Sequence, residues 1–374
     1  VTATFTNDPL CSVLTKTEAV GTPLARTTAY TYNAGSQVTS VTVKSVVDPL
    51  QSKVTAFEYD AKGNMVKRTE TGLLGGGTPY SYATTYAYTA NGQIASIDGS
   101  REDASDVTTL SYYPIASGDP NSGQLYQVTQ PEGLVTTYAD YTWLGKPQTV
   151  TDPNGMATTY TYDSRGRVKS VAVAGDTTSY LYDPVGNLLQ LTLPQGNAIT
   201  YSHDGVNRLV KIQDALGNSV NYAYDTEGNR IKEEIKDPIG ELQKTLSFQY
   251  DAYNRLSKVQ NPDATYTEYA YDARGNRVSL RNPNGNTTSY QYDSLNRLTS
   301  VTPSPPGGGG PGVGGTSYAY NTQDGLTSVT DGNGHVTTYQ YDDMGRVFQA
   351  VSPDTGTTTY GYDPAGNLVQ KTDA

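Results

Sequence analysis

Apolar and polar positions alternate along most of this chain in short runs, of which Thr158-Thr159-Tyr160-Thr161-Tyr162 is typical. A period of two is the pattern of a strand that covers one face. The runs are rich in Thr, Val and Tyr, which suit a pleated surface, and Gly, Asn, Asp and Pro bound them. Leu-rich stripes at i, i+3 and i+4 are missing, and Gly or Pro breaks almost every 12-residue window, so no helix is predicted. The chain reads as all-β.

The strands belong to a repeat. Tyr-Asp pairs followed by a Gly or Asn turn recur at Tyr162-Asp163, Tyr182-Asp183, Tyr224-Asp225, Tyr250-Asp251, Tyr271-Asp272, Tyr292-Asp293, Tyr341-Asp342 and Tyr362-Asp363. With the altered positions His203-Asp204 and Tyr320-Asn321 included, the steps are 20, 21, 21, 26, 21, 21, 28, 21 and 21 residues. Such a period marks a repeat architecture. Tyr59-Asp60 is an early full match, while Tyr32-Asn33, Tyr88-Thr89, Tyr113-Pro114 and Tyr141-Thr142 are weaker ones. We therefore expect one array over residues 1–374, with degenerate, long-looped repeats in 1–141 and regular ones in 142–374.

Each unit carries a second turn signal about ten residues after the first, as in Asp152-Pro153-Asn154-Gly155. Gly and Asn supply the positive φ that such turns need. One unit is thus one β-hairpin, and the Asp of each pair is expected to accept N–H bonds from its own turn. Residues 303–315, a Pro/Gly-rich stretch, are predicted to be a surface loop insertion, as are Gly75–Gly77 and Ile115–Gly123.

Tyr-x-Tyr spacing puts two rings on one face of a strand. The first ring of each pair (Tyr160, Tyr180, Tyr222, Tyr269, Tyr290, Tyr318, Tyr339 and Tyr360) is the candidate ligand contact. Aromatic faces stack on sugar rings or unfolded polypeptide, although the same rings also serve to stabilise a sheet wall. On the following strand, Leu209 and Ile212, Leu256 and Val259, and Leu298 and Val301 are three apart. Either both faces are partly covered or a bulge resets the phase; the spacing leaves both open.

Composition narrows the function. The net charge is −11 and the pI about 4.7, which disfavours nucleic acid and anionic membranes as partners. No 18-residue apolar run exists, so no helical membrane span is predicted. Cys11 alone cannot form an internal disulfide. Val1 is followed by no basic-then-apolar leader, and the chain is expected to be a mature product or an excised fragment.

Catalytic constellations are scarce. The two histidines, His203 and His335, read as repeat variants, and three or four His/Cys ligands for zinc are lacking. The carboxylates follow the repeat instead of clustering against it. Asp331-Gly332-Asn333-Gly334 has oxygen-rich turn chemistry but lacks the alternating calcium loop with its closing Glu. Asn286-Thr287-Thr288 is a single glycosylation sequon. No cofactor and no enzymatic activity are expected.

The motif Tyr-x-Tyr-Asp-x-x-Gly-Asn/Arg at a 21-residue period resembles the YD-repeat, or RHS (rearrangement hot spot), family over nearly the whole chain. That family includes bacterial secreted toxins, toxin-complex shell proteins, wall-associated proteins and teneurins. The resemblance implies hairpins coiled into a spiral sheet, an open or partial shell. It also implies a secreted or cell-surface scaffold that encloses or displays a polypeptide, such as a toxin cargo, or other subunits of the same protein. Adhesion through glycans and self-assembly into filaments are the alternatives. The family's Asp-Pro-x-Gly-Leu core motif and a C-terminal cargo domain do not appear here.

Overall fold

A computed structural model describes residues 3–101, 106–304 and 314–374. The 32 strands among these described residues belong to one sheet, and consecutive strands pair antiparallel, as Ala157–Tyr162 does with Val168–Val173. Apart from short 3₁₀ turns such as Gly75–Gly77 and Pro131–Gly133, no helix occurs among the described residues. The 303–315 insertion lies largely outside them, whereas the Ile115–Gly123 turn closes with a 2.9 Å bond from Tyr113 N–H to the Gln124 carbonyl.

Chain packing divides the molecule into two units. One comprises Val1–Thr109, Tyr271–Leu280 and Gly285–Ala374, so the first and last parts of the chain share it. The other comprises Leu110–Ala270 and Arg281–Asn284.

The spacing of three in the second strand of each hairpin comes from a bulge. Tyr160 pairs with Val171 and Tyr162 with Val168, because the register shifts between Thr161 and Tyr162. The same shift puts Tyr180 and Tyr182 opposite Leu191 and Leu188, and Tyr290 and Tyr292 opposite Val301 and Leu298. One extra residue moves both aliphatic side chains onto the tyrosine face. Each hairpin therefore carries a four-residue patch of two rings and two aliphatics, with each cross-strand pair worth about 0.2–1 kcal/mol. The opposite face is polar: Ser179 faces Thr192, Ser202 faces Lys211, and Gln340 faces Gln349.

This sheet buries few residues completely. Among the described residues, the only fully buried apolar residues are Ala19, Leu73, Tyr80 and Tyr141. Five polar residues are buried as deeply, including Asp342 and Asp343. Stability thus rests on half-buried ring patches and hydrogen bonds, not on a dry core.

Candidate functional site

The repeat turn is built by its Asp. Asp163 Oδ1 accepts from the backbone N–H groups of Arg165 (2.9 Å) and Arg167 (3.0 Å). Its N–H donates to the Arg167 carbonyl at 2.9 Å. The residue before position 167, Gly166, has φ 76°. Asn207 holds the same place in its turn at φ 66°, a conformation Asn tolerates better than most side chains. Asp60, Asp183, Asp225, Asp251, Asp272, Asp293, Asp342 and Asp363 make equivalent turns. The backbone N–H and guanidinium of Arg208 hold Asp204 below the usual carboxylate range, as the guanidinium of Arg255 does for Asp251.

Turns are clasped to their neighbours in two alternating ways. In one, an Arg four residues after the Asp binds that Asp and reaches the next turn. Arg208 Nε donates to Asp204 at 2.7 Å, and its Nη1 donates to the Asp225 carbonyl at 3.0 Å. Its guanidinium also lies 4.8 Å from the centre of the Tyr224 ring. Arg167, Arg297 and Arg346 repeat the arrangement over Tyr182, Tyr320 and Tyr362. In the other clasp, Asn replaces Arg. Asn187 Nδ2 donates to Asp183 at 2.8 Å and to Asn207 Oδ1 in the next turn at 2.9 Å. Asn229 and Asn276 do the same toward Asn254 and Asn296.

The two tyrosines of each pair differ. In most pairs the hydroxyl of the Tyr-Asp tyrosine donates to a carbonyl on the preceding hairpin: Tyr162 to Pro147 (2.7 Å), Tyr224 to Leu209 (2.7 Å), Tyr292 to Arg277 (3.0 Å) and Tyr362 to Val347 (2.8 Å), whereas Tyr182 instead lies beneath Arg167. Tyr59 and Tyr250 bond Val38 and Arg230. Tyr141 bonds Leu125 at 2.8 Å, and burial pushes its hydroxyl up to about 12. By contrast, Tyr160, Tyr180, Tyr290, Tyr318, Tyr339 and Tyr360 have no hydroxyl partner among the described residues. They are half-buried, with Tyr160 stacked on Tyr162 at 6.3 Å. Tyr269 shares the alternation along its strand with Tyr271. Tyr222 lies beneath Arg230 at 5.3 Å, and Arg230 pairs with Glu233 at 3.1 Å.

The first unit contains a seam. Asp343 is fully buried. Its Oδ1 accepts from Ser45 Oγ and Val46 N–H, both at 2.8 Å, and its Oδ2 accepts from Leu73 N–H at 2.7 Å. Its own N–H donates to the Leu73 carbonyl at 2.9 Å. A Cβ on Gly72 would stand 2.8 Å from Asp343 Oδ2, so the close approach requires glycine there. The seam continues on either side. Thr22 and Ser294 hydroxyls meet at 3.3 Å, Gln323 donates to the Lys44 carbonyl at 3.0 Å, and Ser100 donates to the Pro364 carbonyl at 2.7 Å. Arg26 bonds both Glu18 (3.0 Å) and Asp324 (2.7 Å). Apart from Arg26–Glu18, each contact joins a Tyr-Asp-type turn of a late hairpin to the opposite end of an early hairpin. Sequence reading did not single out Asp343; its one signal is a second acid directly after Tyr341-Asp342.

Beside the seam lies a groove of about 690 Å³, lined in part by Arg26, Thr28, Val41, Val43, Lys53 and Thr55. His335 Nδ1 sits 3.0 Å from Asp331 in an exposed turn. No cluster of three or more His, Cys, Asp or Glu suited to a metal occurs among the described residues. Nor is any helix among them long and apolar enough to cross a membrane.

A family model described as RHS repeat matches residues 144–178, 182–219, 250–287, 271–304, 320–357 and 349–374. No curated protein matches the chain. Among solved structures, a chain of the Photorhabdus luminescens Tc holotoxin pore is similar at 13% identity and TM-score 0.56. That match covers 99% of this chain and 25% of the other. TcdB2-TccC3 matches at 14% identity and TM-score 0.54, over 99% of this chain and 27% of that one. TcdB2-TccC3 without its hypervariable C-terminal region gives 14% and 0.53, over 100% and 27%. The chain thus spans about a quarter of the length of these solved chains.

Proposed function

The chain belongs to the RHS-repeat family, and from that premise we propose that it is a length of shell wall whose tyrosine face lies against an enclosed polypeptide. Its repeat array is a structural scaffold. The observation that carries the enclosing role is the difference between the two faces of the sheet. One face is Thr, Ser, Gln and Lys and suits water. The other is a ladder of rings and aliphatics at half burial, an apolar strip that a covering partner would bury further. A polypeptide offers apolar side chains to the rings and carbonyls to the unbonded hydroxyls of Tyr160, Tyr180 and Tyr290. Similar solved chains are toxin-complex components, and one of them is described with a hypervariable C-terminal region removed. We place the protein outside the cell or at its surface, in keeping with its low charged fraction of 17% and its family.

The same free hydroxyls favour a second reading, in which the ladder stacks on glycans. Titrating the purified chain with a labelled, permanently unfolded polypeptide, and separately with a glycan panel, tests both. The wall reading requires polypeptide binding that Tyr160→Ser with Tyr180→Ser reduces at least several-fold while the circular dichroism spectrum stays unchanged. Absence of polypeptide binding would sink it. Glycan binding lost in the same variant would establish the second reading in its place.

A further inference from the structure

The seam in the first unit shows what one end of a hairpin does to the other when they meet. We infer that the uncovered hairpin ends of the second unit are docking edges for a second copy of this chain, stacked head to tail. The evidence is a comparison of turns of identical type. Where the seam covers them, the Asp293–Arg297 side chains are 11% and 12% exposed, and Asp342–Arg346 2% and 14%. In the second unit, Asp163–Arg167 are 23% and 26% exposed, and Asp204–Arg208 24% and 33%.

The residue two places after the Asp follows the same division. Leu295, Gln323 and Met344 are half-buried at the seam, and of the seam turns only that of the small Ala365 leaves this place exposed. In the second unit the same place holds Leu144, Arg165, Val185, Val206, Glu227 and Tyr253, and its four apolar members are 57–80% exposed. The four apolar side chains lie along a single edge, with Arg165 and Glu227 interspersed among them. The opposite edge of the same unit offers Leu134, Met156, Leu216 and Ile239, also exposed.

At the seam, the cover for the Tyr-Asp edge is a run of opposite-edge turns from this same chain: Thr22, Ser45-Val46, Leu73 and Ser100. The second unit carries both complementary surfaces and has neither covered. Another copy supplies the missing partner on each side. Because the two edges differ, the contact is heterologous and links copies head to tail into a ring or an open chain. Copies of charge −11 repel one another, so apolar stacking strengthens as salt screens that repulsion.

This inference concerns the edges and not the tyrosine face, so it is tested separately from the wall reading. Sedimentation velocity over a wide concentration series, at low and moderate salt, is the measurement. We expect the weight-average sedimentation coefficient to rise with concentration and to rise further with salt. Val206→Asp with Tyr253→Asp silences the Tyr-Asp edge, and Leu216→Asp with Ile239→Asp silences the other. All four positions are exposed, which preserves the fold. Each double variant alone should sediment as a monomer, and an equimolar mixture should yield dimers and nothing larger, because one live edge remains on each partner. Monomers at every concentration of the parent chain, or oligomers unchanged by both double variants, would overturn the proposal.

Discussion

The Asp343 carboxylate takes a 2.8 Å hydrogen bond from the Ser45 hydroxyl across 298 residues of chain, and both groups are buried. That bond and its three neighbours pin the late hairpins to the early ones. A buried carboxylate held by hydroxyl and amide donors is a specific acceptor, because removing it leaves every donor without a partner.

Asp343→Ala is therefore expected to open the seam locally. Three donors (Ser45 Oγ, Val46 N and Leu73 N) lose their acceptor, at about 1–3 kcal/mol for each one left unsatisfied. Amide hydrogen exchange should accelerate at Val46 and Leu73 while the amides of the second unit are unchanged. Ser45→Ala removes one bond only and should cost about 1 kcal/mol.

The two tyrosines of a pair should respond differently to loss of the hydroxyl. Tyr224→Phe gives up the bond to the Leu209 carbonyl, with an expected cost of about 1 kcal/mol in thermal or denaturant unfolding. Tyr290→Phe removes a hydroxyl with no partner among the described residues and should leave stability within about 0.5 kcal/mol of the parent. Equal effects at the two sites would contradict the division between anchoring and free rings.

Arg208→Lys keeps the charge but loses the planar fork that spans Asp204, the Asp225 carbonyl and the Tyr224 ring. The expected loss is about 1 kcal/mol, measured by the unfolding midpoint. Asn207→Gly, in contrast, keeps the positive φ and removes only the acceptor for Asn187. Asn207→Val adds strain on top of that and should be clearly worse.

Stability should fall toward both extremes of pH. Tyr141 ionises near 12 in the folded chain, above its ordinary value of about 10. A raised value means that the neutral form is favoured in the fold, so its contribution is complete below about 10 and is lost as pH rises toward about 12. The turn aspartates Asp204 and Asp251 are shifted the other way. Their contribution is complete above the ordinary aspartate value of about 3.9 and disappears as pH falls through their lowered folded values. Circular dichroism melts across pH, with tyrosinate absorbance followed on the alkaline side, check both limbs.

Most of the architecture is legible in the sequence because its causes are local. A period of two, a Gly or Asn turn and an Asp four residues before the turn closes all act within one hairpin, and they define all-β repeats without reference to distant chain. The bulge was half legible. Leu209 and Ile212 at a spacing of three announce an irregularity, but only the pairing of Ile212 with Tyr201 and Leu209 with His203 shows that it places both on the ring face. Asp343 was not legible, since its partners lie about 300 residues away and its position in the regular repeats otherwise holds Ser, Pro, Gly, Thr or Ala. The alternation of clasps is written in the sequence, yet its period is two units, and comparing hairpins one at a time conceals it.

That alternation sets a parity. From Asp163 onward the fourth residue after the Asp runs Arg167, Asn187, Arg208, Asn229, Arg255, Asn276, Arg297, Gly325, Arg346 and Asn367. The Arg clasps reach the Asp carbonyl of the next turn, and the Asn clasps reach an Asn side chain found in the next, Arg-bearing turn. Deleting a single hairpin would bring two of the same kind together, whereas removing two would restore the match. The molecule is thus indexed in even numbers, and its length changes cleanly by pairs of hairpins.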